Sequence, residues 1–346
     1  MSTSMELSLD WATVWTALWQ AALLSLTLHW VYVISRQYLL PGKMIGPSFP
    51  LPFFSHSLHF FFEAGFDFRR LHIALYNLQR NAGFPKLERF WLGVRQIVML
   101  NDLDGFKTIL GRKYKLYDRS QPEHNIAFVR GGLITALNGK KWRQDRGMLA
   151  HHFDHASLAI HIETVLDRVN AAISAMDRSI AASSVNNSAV INMKTVIFRM
   201  TFDVICRITF GRHFRSLEDQ ALDSPDPPML EAFERCLVEA NKRFHLFWIP
   251  YWKLPGSQYL FKHVRQFIEA EQCILTSIDE EIRKADKVVR SEQVGVDQNS
   301  STLNYMLHKR YNDKVDLSDH DIQRQLVTFL FAGHDTTVRR LLFRQT

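Results

Sequence analysis

The sequence predicts a mainly α-helical fold with one small β-sheet, set behind a single transmembrane helix. Three observations carry this. Every position from Trp11 to Ser35 is uncharged if His29 is neutral. Apolar residues recur at helical spacing through much of the remainder, most densely from Leu317 to Thr337. Phe90 to Leu100 is richer in aromatic and β-branched residues, the composition of strands, and few other strands are apparent. The 346 residues, 47% of them hydrophobic, suffice for a large core. A net charge of +7 suits an anionic membrane surface or an acidic protein partner. It is too dispersed for nucleic acid, and no nucleic-acid-binding motif accompanies it.

The first element is the uncharged run. Roughly 20 apolar residues at 1.5 Å rise cross a bilayer core. Trp11, Trp15, Trp30 and Tyr32 lie towards its ends, where amphipathic rings favour the interface. Glu6 and Asp10 precede it and Arg36 and Lys43 follow, which places the bulk of the chain in the cytosol. A cleaved signal peptide is the rival reading; the long run and the absence of positive charge before it favour a permanent anchor. Residues 1–36 are therefore read as a lumenal N-terminus and anchor. Pro41, Pro47, Pro50 and Pro52 then make a stiff hinge over residues 37–59. A globular domain is expected over 60–337.

Within it, Phe60 to Asn81 has mixed helical spacing, and FWLGVRQIVML, Phe90 to Leu100, reads as a short hairpin with Gly93 and Gln96 marking the turn. Asp104 to Leu110 returns to helix. Asn138-Gly139 is a turn signal, and on the helix that follows Trp142 and Arg146 share a face. An indole N–H beside a guanidinium suits a carboxylate; a surface Trp packed under an Arg is the plainer alternative. Thr201 to Gly211 is a mostly apolar helix with a glycine cap, and Asp223 to Pro228 is a loop. Phe244 to Trp252 is an aromatic patch, either plain core or the lining of a channel. Helix resumes from about Phe261 to Lys287, and Ser291 to Ser301 is a polar loop. Cys206, Cys236 and Cys273 show no metal-like spacing and are expected as thiols.

Leu317 to Thr337 is the stretch on which the chain is organised. Ser318 and Asp321 form a capping-box pattern. Ile322, Leu326, Phe329, Leu330 and Gly333 follow at helical spacing, so the helix should be buried on most sides. Gly333 costs about 1 kcal/mol against Ala, and Asp335 must not be left charged and unpaired inside.

Ala332-Gly333-His334-Asp335-Thr336-Thr337 resembles the signature of helix I in cytochrome P450 haem-thiolate monooxygenases, and Trp142-x-x-x-Arg146 resembles that family's propionate-binding helix. The upstream Gly131-Gly132-Leu133-Ile134 run, the hairpin, and the anchor with its proline hinge are similar to microsomal, fungal-type members. The resemblance implies the N-terminal part of the cytochrome P450 fold. It further implies that Trp142 and Arg146 bind haem, that Ala332 and Gly333 seat dioxygen, and that Asp335 and Thr336 deliver protons. The implied activity is hydroxylation of a hydrophobic lipid or secondary metabolite, with O2 and NADPH-derived electrons passed by NADPH-cytochrome P450 reductase at the endoplasmic reticulum membrane.

The chain departs from the family's pattern after this point. None of the three cysteines lies in the Phe-Gly-rich loop that supplies the family's iron ligand. Glu280 and Arg283 match the family's Glu-x-x-Arg but precede helix I, and read as an ordinary ion pair. Residues 338–346 carry Arg339, Arg340 and Arg344 where a core-bound segment is expected. The expectation is a domain truncated after helix I with an aberrant basic tail, inactive as it stands; a basic helix end complementing the macrodipole is the bland alternative. The rival to a monooxygenase is a non-catalytic membrane-anchored remnant that binds a hydrophobic ligand or partner. No protein metal site is assigned. His151, His152, Asp154 and His155 are the rival metal cluster, and one such cluster with one span resembles the multi-box membrane hydroxylases little.

Overall fold

The computed structural model describes residues 11–39, 43–44, 56–65, 70–92, 95–118, 127–129, 131–150, 154–183, 188–212, 214–218, 221–245, 250–291 and 301–343. Two compact units result, one of residues 1–118 with 245–250, the other of residues 119–244 with 251–346. Mainly helical structure with one small sheet agrees with the sequence reading.

The first unit opens with α1 (Trp11–Leu39), in which Thr13–Ser35 is long and apolar enough to cross a membrane and is almost wholly exposed. Near its end Val33 is buried, and Tyr32 meets Trp91 edge-on at 5.9 Å. Most of the proline-rich hinge lies outside the described residues. The helix expected over residues 60–81 is two helices, α2 (Ser57–Glu63) and α3 (Leu71–Ala82). Gly83 ends α3 at φ 78°, a left-handed cap that glycine adopts without strain.

The sheet is β1 (Lys43–Met44), β2 (Leu87–Leu92) and β3 (Arg95–Leu100), in that order, β1 parallel and β3 antiparallel to β2. The hairpin is present, but its first strand starts three residues before Phe90, and Gln96 pairs with Trp91 inside the ladder rather than turning the chain. Glu88 and Arg89 hid the true start. They look like solvent residues, yet both are buried, and Glu88 Oε2 accepts a hydrogen bond from Gln79 Nε2 at 2.9 Å. Asp102 caps α4 (Leu103–Phe106), its carboxylate accepting from the Gly105 amide, and a π-helical turn continues to Arg112.

The second unit holds the main core. Its elements are α5 (Lys140–Leu149), α6 (His155–Ile160), α7 (Ile162–Ala181), α8 (Met193–Phe210), α9 (Pro228–His245), α10 (Ser257–Leu260), α11 (Lys262–Ser291), α12 (Thr302–Tyr311) and α13 (Asp319–Phe343). Helix α8 lies in the interior. Phe202 and Cys206 on it share one apolar cluster with Phe233 of α9, Ile274 and Ile278 of α11, Met306 of α12, and Leu326, Val327 and Leu330 of α13. It starts earlier than the sequence pattern, at an Asn192 cap, and ends at Gly211 with φ 75° as expected. Pro228 opens α9, where its missing N–H costs nothing.

Several buried charges among the described residues of this unit are paired. Arg199 is fully buried; its guanidinium binds Asp226 at 2.7 Å and donates to the Ala221 and Ser224 carbonyls, pinning the loop before α9. Asp203 accepts from the Ser216 amide and hydroxyl and faces Arg168 at 3.7 Å; burial pushes its pKa up to about 6 against those partners. Cys206 and Cys236 are buried free thiols whose pKa burial raises, and Cys273 is half-buried. Phe202 is fully enclosed, so Phe202→Ala is expected to cost about 3–5 kcal/mol of stability. Denaturant unfolding of the full chain in detergent, beside a surface control such as Ile173→Ala, measures it.

Candidate functional site

Helix α13 begins with the predicted capping box. Asp321 accepts from the Ser318 amide at 3.0 Å and hydroxyl at 2.6 Å, and its own amide donates to Ser318 Oγ at 3.1 Å. From this end a polar clamp reaches α5. Lys141 Nζ lies 3.0 Å from Asp321 and 3.5 Å from Asp145, Gln325 Nε2 donates to Asp145 at 3.1 Å, and the Leu133 amide donates to Gln325 Oε1 at 3.0 Å. Burial raises the Asp145 pKa, and Lys141 only partly offsets it. Burial also acts to raise Asp321, but hydrogen bonds from Ser318 and Lys141 outweigh it and the net shift is downward. Lys141 is raised, its desolvation outweighed by the two carboxylates.

The Gly131–Ile134 turn completes the clamp because Gly132 has no side chain. A Cβ there would stand 1.9 Å from Thr328 Oγ1 and 2.6 Å from the Arg324 carbonyl, so only glycine lets this turn lie against α13. Gly131 takes φ 79° in the same turn.

These contacts leave a cavity of about 230 Å³, lined by Leu133, Ile134, Trp142, Arg146, Thr328, Phe329 and Ala332. Trp142 and Arg146 share a face as the spacing predicts, the guanidinium 5.7 Å from the indole ring. Arg146 is exposed, and among the described residues no carboxylate forms an ion pair with it. The cavity therefore joins apolar walls to an unneutralised cation, which fits a flat apolar group carrying a carboxylate. None of the three cysteines lines it.

The structure divides the six residues from Ala332 to Thr337. Ala332 is on the cavity with Trp142 and Arg146. Gly333 faces α8 instead: a Cβ there would come 2.5 Å from Ile205 Cδ1. His334 is fully buried, with Nδ1 3.0 Å from Thr201 Oγ1, and desolvation lowers its pKa to about 4. Asp335 pairs with Arg339 at 3.0 Å. Thr336 Oγ1 donates to the Ala332 carbonyl and Thr337 Oγ1 to that of Gly333, both at 2.6 Å. Helix α13 runs unbroken through position 337, where a boundary was expected, to Phe343. Arg339 and Arg340 are exposed on it, while Arg344 lies outside the described residues.

Sequence reasoning missed the clamp and the histidine. Lys141 and Asp145 carried a readable i,i+4 signal; the link between Asp145 and Gln325 and that between Thr201 and His334 join residues far apart in sequence and left none. Asp154 of the histidine-rich cluster is the cap of α6, accepting from the Ser157 amide at 2.8 Å, while residues 151–153 lie outside the described residues. Glu281, rather than Glu280, carries ion pairs, to Arg212 at 2.7 Å and Lys284 at 2.9 Å.

Fold and site together define a helical protein whose central buried helix borders an apolar, cation-edged cavity. The Cytochrome P450 family model matches residues 47–343, and the chain belongs to that family. It is 25% identical over 291 residues to probable cytochrome P450 4d20 of Drosophila melanogaster, covering 79% of this chain and 55% of that protein. Cytochrome P450 94A1 of Vicia sativa is 25% identical, with 71% and 45% covered. The putative inactive cytochrome P450 family member 4Z2 of Homo sapiens is 24% identical, with 73% and 72% covered. The crystal structure of the cytochrome P450DA haem domain superposes with a TM-score of 0.64 at 19% identity, covering 88% of this chain and 61% of that one. The chain thus spans about half the length of the first two relatives.

Two outcomes test this geometry. Gly132→Ala should force the turn off α13, lowering stability by about 1–3 kcal/mol in denaturant unfolding. His334 has a folded pKa depressed from 6.5 to about 4, so its contribution is present above pH 6.5 and is lost as pH falls through 4. The loss should reach about 3 kcal/mol. Asp203, raised to about 6, acts oppositely, favouring the fold at low pH and losing that contribution as pH rises through 6. The difference between wild type and His334→Phe across pH 4–7 isolates the histidine.

Proposed function

We propose that this chain carries the oxygen-side and propionate-side residues of a haem-thiolate monooxygenase that hydroxylates a hydrophobic lipid or secondary metabolite. The observation that carries the reading is the cavity that sets Trp142 and Arg146 opposite Ala332. Trp142 and Arg146 would hold a haem propionate, the indole donating one hydrogen bond and the guanidinium neutralising the charge. When bound, haem supplies dioxygen binding and activation, with electrons drawn from NADPH through a reductase. Ala332 keeps its side of the cavity small enough for a diatomic molecule. Thr336 Oγ1 donates to the Ala332 carbonyl, which leaves its lone pairs free to take a proton and pass on its own. Asp335, partly exposed at 22%, is placed one residue before it to take protons from solvent once Arg339 releases it. Gly333 contributes by its lack of a side chain, with its Cβ direction already filled by Ile205. Helix α1 supports a single-pass anchor in the endoplasmic reticulum membrane with the rest of the chain cytosolic.

A second reading is a non-catalytic membrane-anchored protein that binds a hydrophobic ligand; the largely apolar lining of the cavity favours it. A relative of which the chain covers 72% is itself described as putatively inactive.

Haemin titration of the full chain in detergent micelles, followed by its Soret band, separates the two readings. On the first, saturable 1:1 binding is expected, and Arg146→Ala should weaken it by about 10- to 100-fold, the worth of charge-assisted bonds of about 1.5–3 kcal/mol. Arg146→Lys should fall between, since it keeps charge but not the fork. Haemin binding that ignores both substitutions would remove the propionate assignment.

A further inference from the structure

The turns of α13 around residue 333 touch two neighbours at once. Ala332 looks onto the cavity, whereas Gly333 and His334 look onto α8, against Ile205 and Thr201. The hydrogen-bond pattern assigns the imidazole tautomer. Thr201 Oγ1 gives its one proton to the Ile197 carbonyl at 2.8 Å, with the Phe198 carbonyl at 3.2 Å as a shared acceptor. With its proton assigned to the Ile197 carbonyl, the oxygen accepts towards His334 Nδ1, 3.0 Å away. Nδ1 therefore carries the proton, and Nε2 is a bare nitrogen that meets no polar partner among the described residues. The ring is enclosed edge-on by Phe198, Phe202 and Phe233, with centroids 4.4, 5.8 and 5.5 Å away.

A polar ring with one satisfied and one unsatisfied nitrogen is a poor choice for filling an apolar cage, where Phe or Leu avoids the desolvation. Direction is what the imidazole adds. Leucines, isoleucines and phenylalanines dominate the core that α8 and α13 share, and such contacts tolerate sliding and rotation. A slip of one residue would turn α13 by about 100° and carry Ala332 off the cavity.

We propose that His334 is a positioning residue: the bond from its Nδ1–H to Thr201 Oγ1, beside the Gly333–Ile205 contact, fixes the register of α13 on α8. That register keeps Ala332 opposite Trp142 and Arg146. The histidine touches no reacting group and acts through the helix that bears it.

The test needs no haem, so its failure is separate from failure of the monooxygenase reading. In the full chain in detergent, with Cys273→Ser to leave only the two buried native thiols, Ala332→Cys is labelled with bimane, which tryptophan quenches on contact. Trp142→Phe in the same background defines the Trp142-dependent quenching. His334→Phe keeps the ring and loses the donor, Thr201→Val keeps the shape and loses the acceptor, and His334→Asn restores a donor near Nδ1. Quenching should fall at least about twofold in the first two, as expected for a helix rotated by up to 100°, and persist in His334→Asn. Nitrogen-15 spectra of labelled histidine should show Nδ1 protonated and change in Thr201→Val. A role in packing alone would lower unfolding midpoints without moving the quenching. Undiminished quenching in folded His334→Phe overturns the proposal. If that variant does not fold, undiminished quenching in Thr201→Val does so, and so does loss of quenching in His334→Asn.

Discussion

The packing of α13 on α8 is the contact on which the second unit depends. Leu326, Val327 and Leu330 of α13 and Phe202 and Cys206 of α8 are buried in one cluster. At about 1.5–3 kcal/mol for each large apolar side chain removed from water, this interface supplies much of the drive for the unit to close. It also explains how α13 can be apolar at six of the seven positions from Leu326 to Ala332 and then turn polar. Gly333 lets the two backbones approach, His334 gives its one donor to Thr201, and Thr336 and Thr337 beyond them are exposed. The glycine that weakens the helix by itself is the residue that its partner requires.

The cavity is a consequence of that packing together with the clamp from α5. Asp145 is only 4% exposed, and a carboxylate so placed is tolerated because Lys141 and Gln325 both reach it. Such networks add little net stability, since the cost of desolvating the charges offsets most of the attraction; they add direction. Here the direction is the placement of α5, one face of which carries Asp145 to the clamp while Trp142 and Arg146 face the cavity. Because Gln325 bonds both Asp145 and the Leu133 amide, helix and glycine turn are tied to the same point on α13. Three separate stretches of sequence thereby meet at one wall.

Local patterns in the sequence were enough to read the capping box, the Gly211 cap, the shared face of Trp142 and Arg146, and the apolar character of α1 and α13. Each depends on residues within one or two turns of each other, where spacing is geometry. The start of β2 was misjudged because Glu88 and Arg89 have charges that only Gln79 and the rest of the first unit make tolerable inside. Three long helices, α7, α9 and α12, carry apolar positions interrupted by charge and were not singled out. The division of Ala332 to Thr337 between α8 and the cavity was not readable, because a helix shows its partners only when it is packed. Gly333 is the clearest instance. The sequence marks it as a place where room is needed, and the structure shows that Ile205 takes that room.

Asp335 and Arg339 bear on which functional reading the chain favours. In the sequence, arginines after Thr337 suggested a segment forced against its nature into a core. In the structure Arg339 and Arg340 are exposed on a continuous helix. Positive charge in the last turns of a helix is favourable against its dipole. The pair itself is weak: an i,i+4 ion pair whose arginine side chain is 60% exposed contributes no more than about 0.5 kcal/mol, less at physiological salt. A carboxylate held that loosely exchanges its partner for water or a neighbouring hydroxyl at little cost. Arg339 therefore would not disable Asp335 in the proton-carrying role proposed for it. What separates the two readings is the other face of the cavity, where Trp142 and Arg146 either hold an anion-bearing ring or do not.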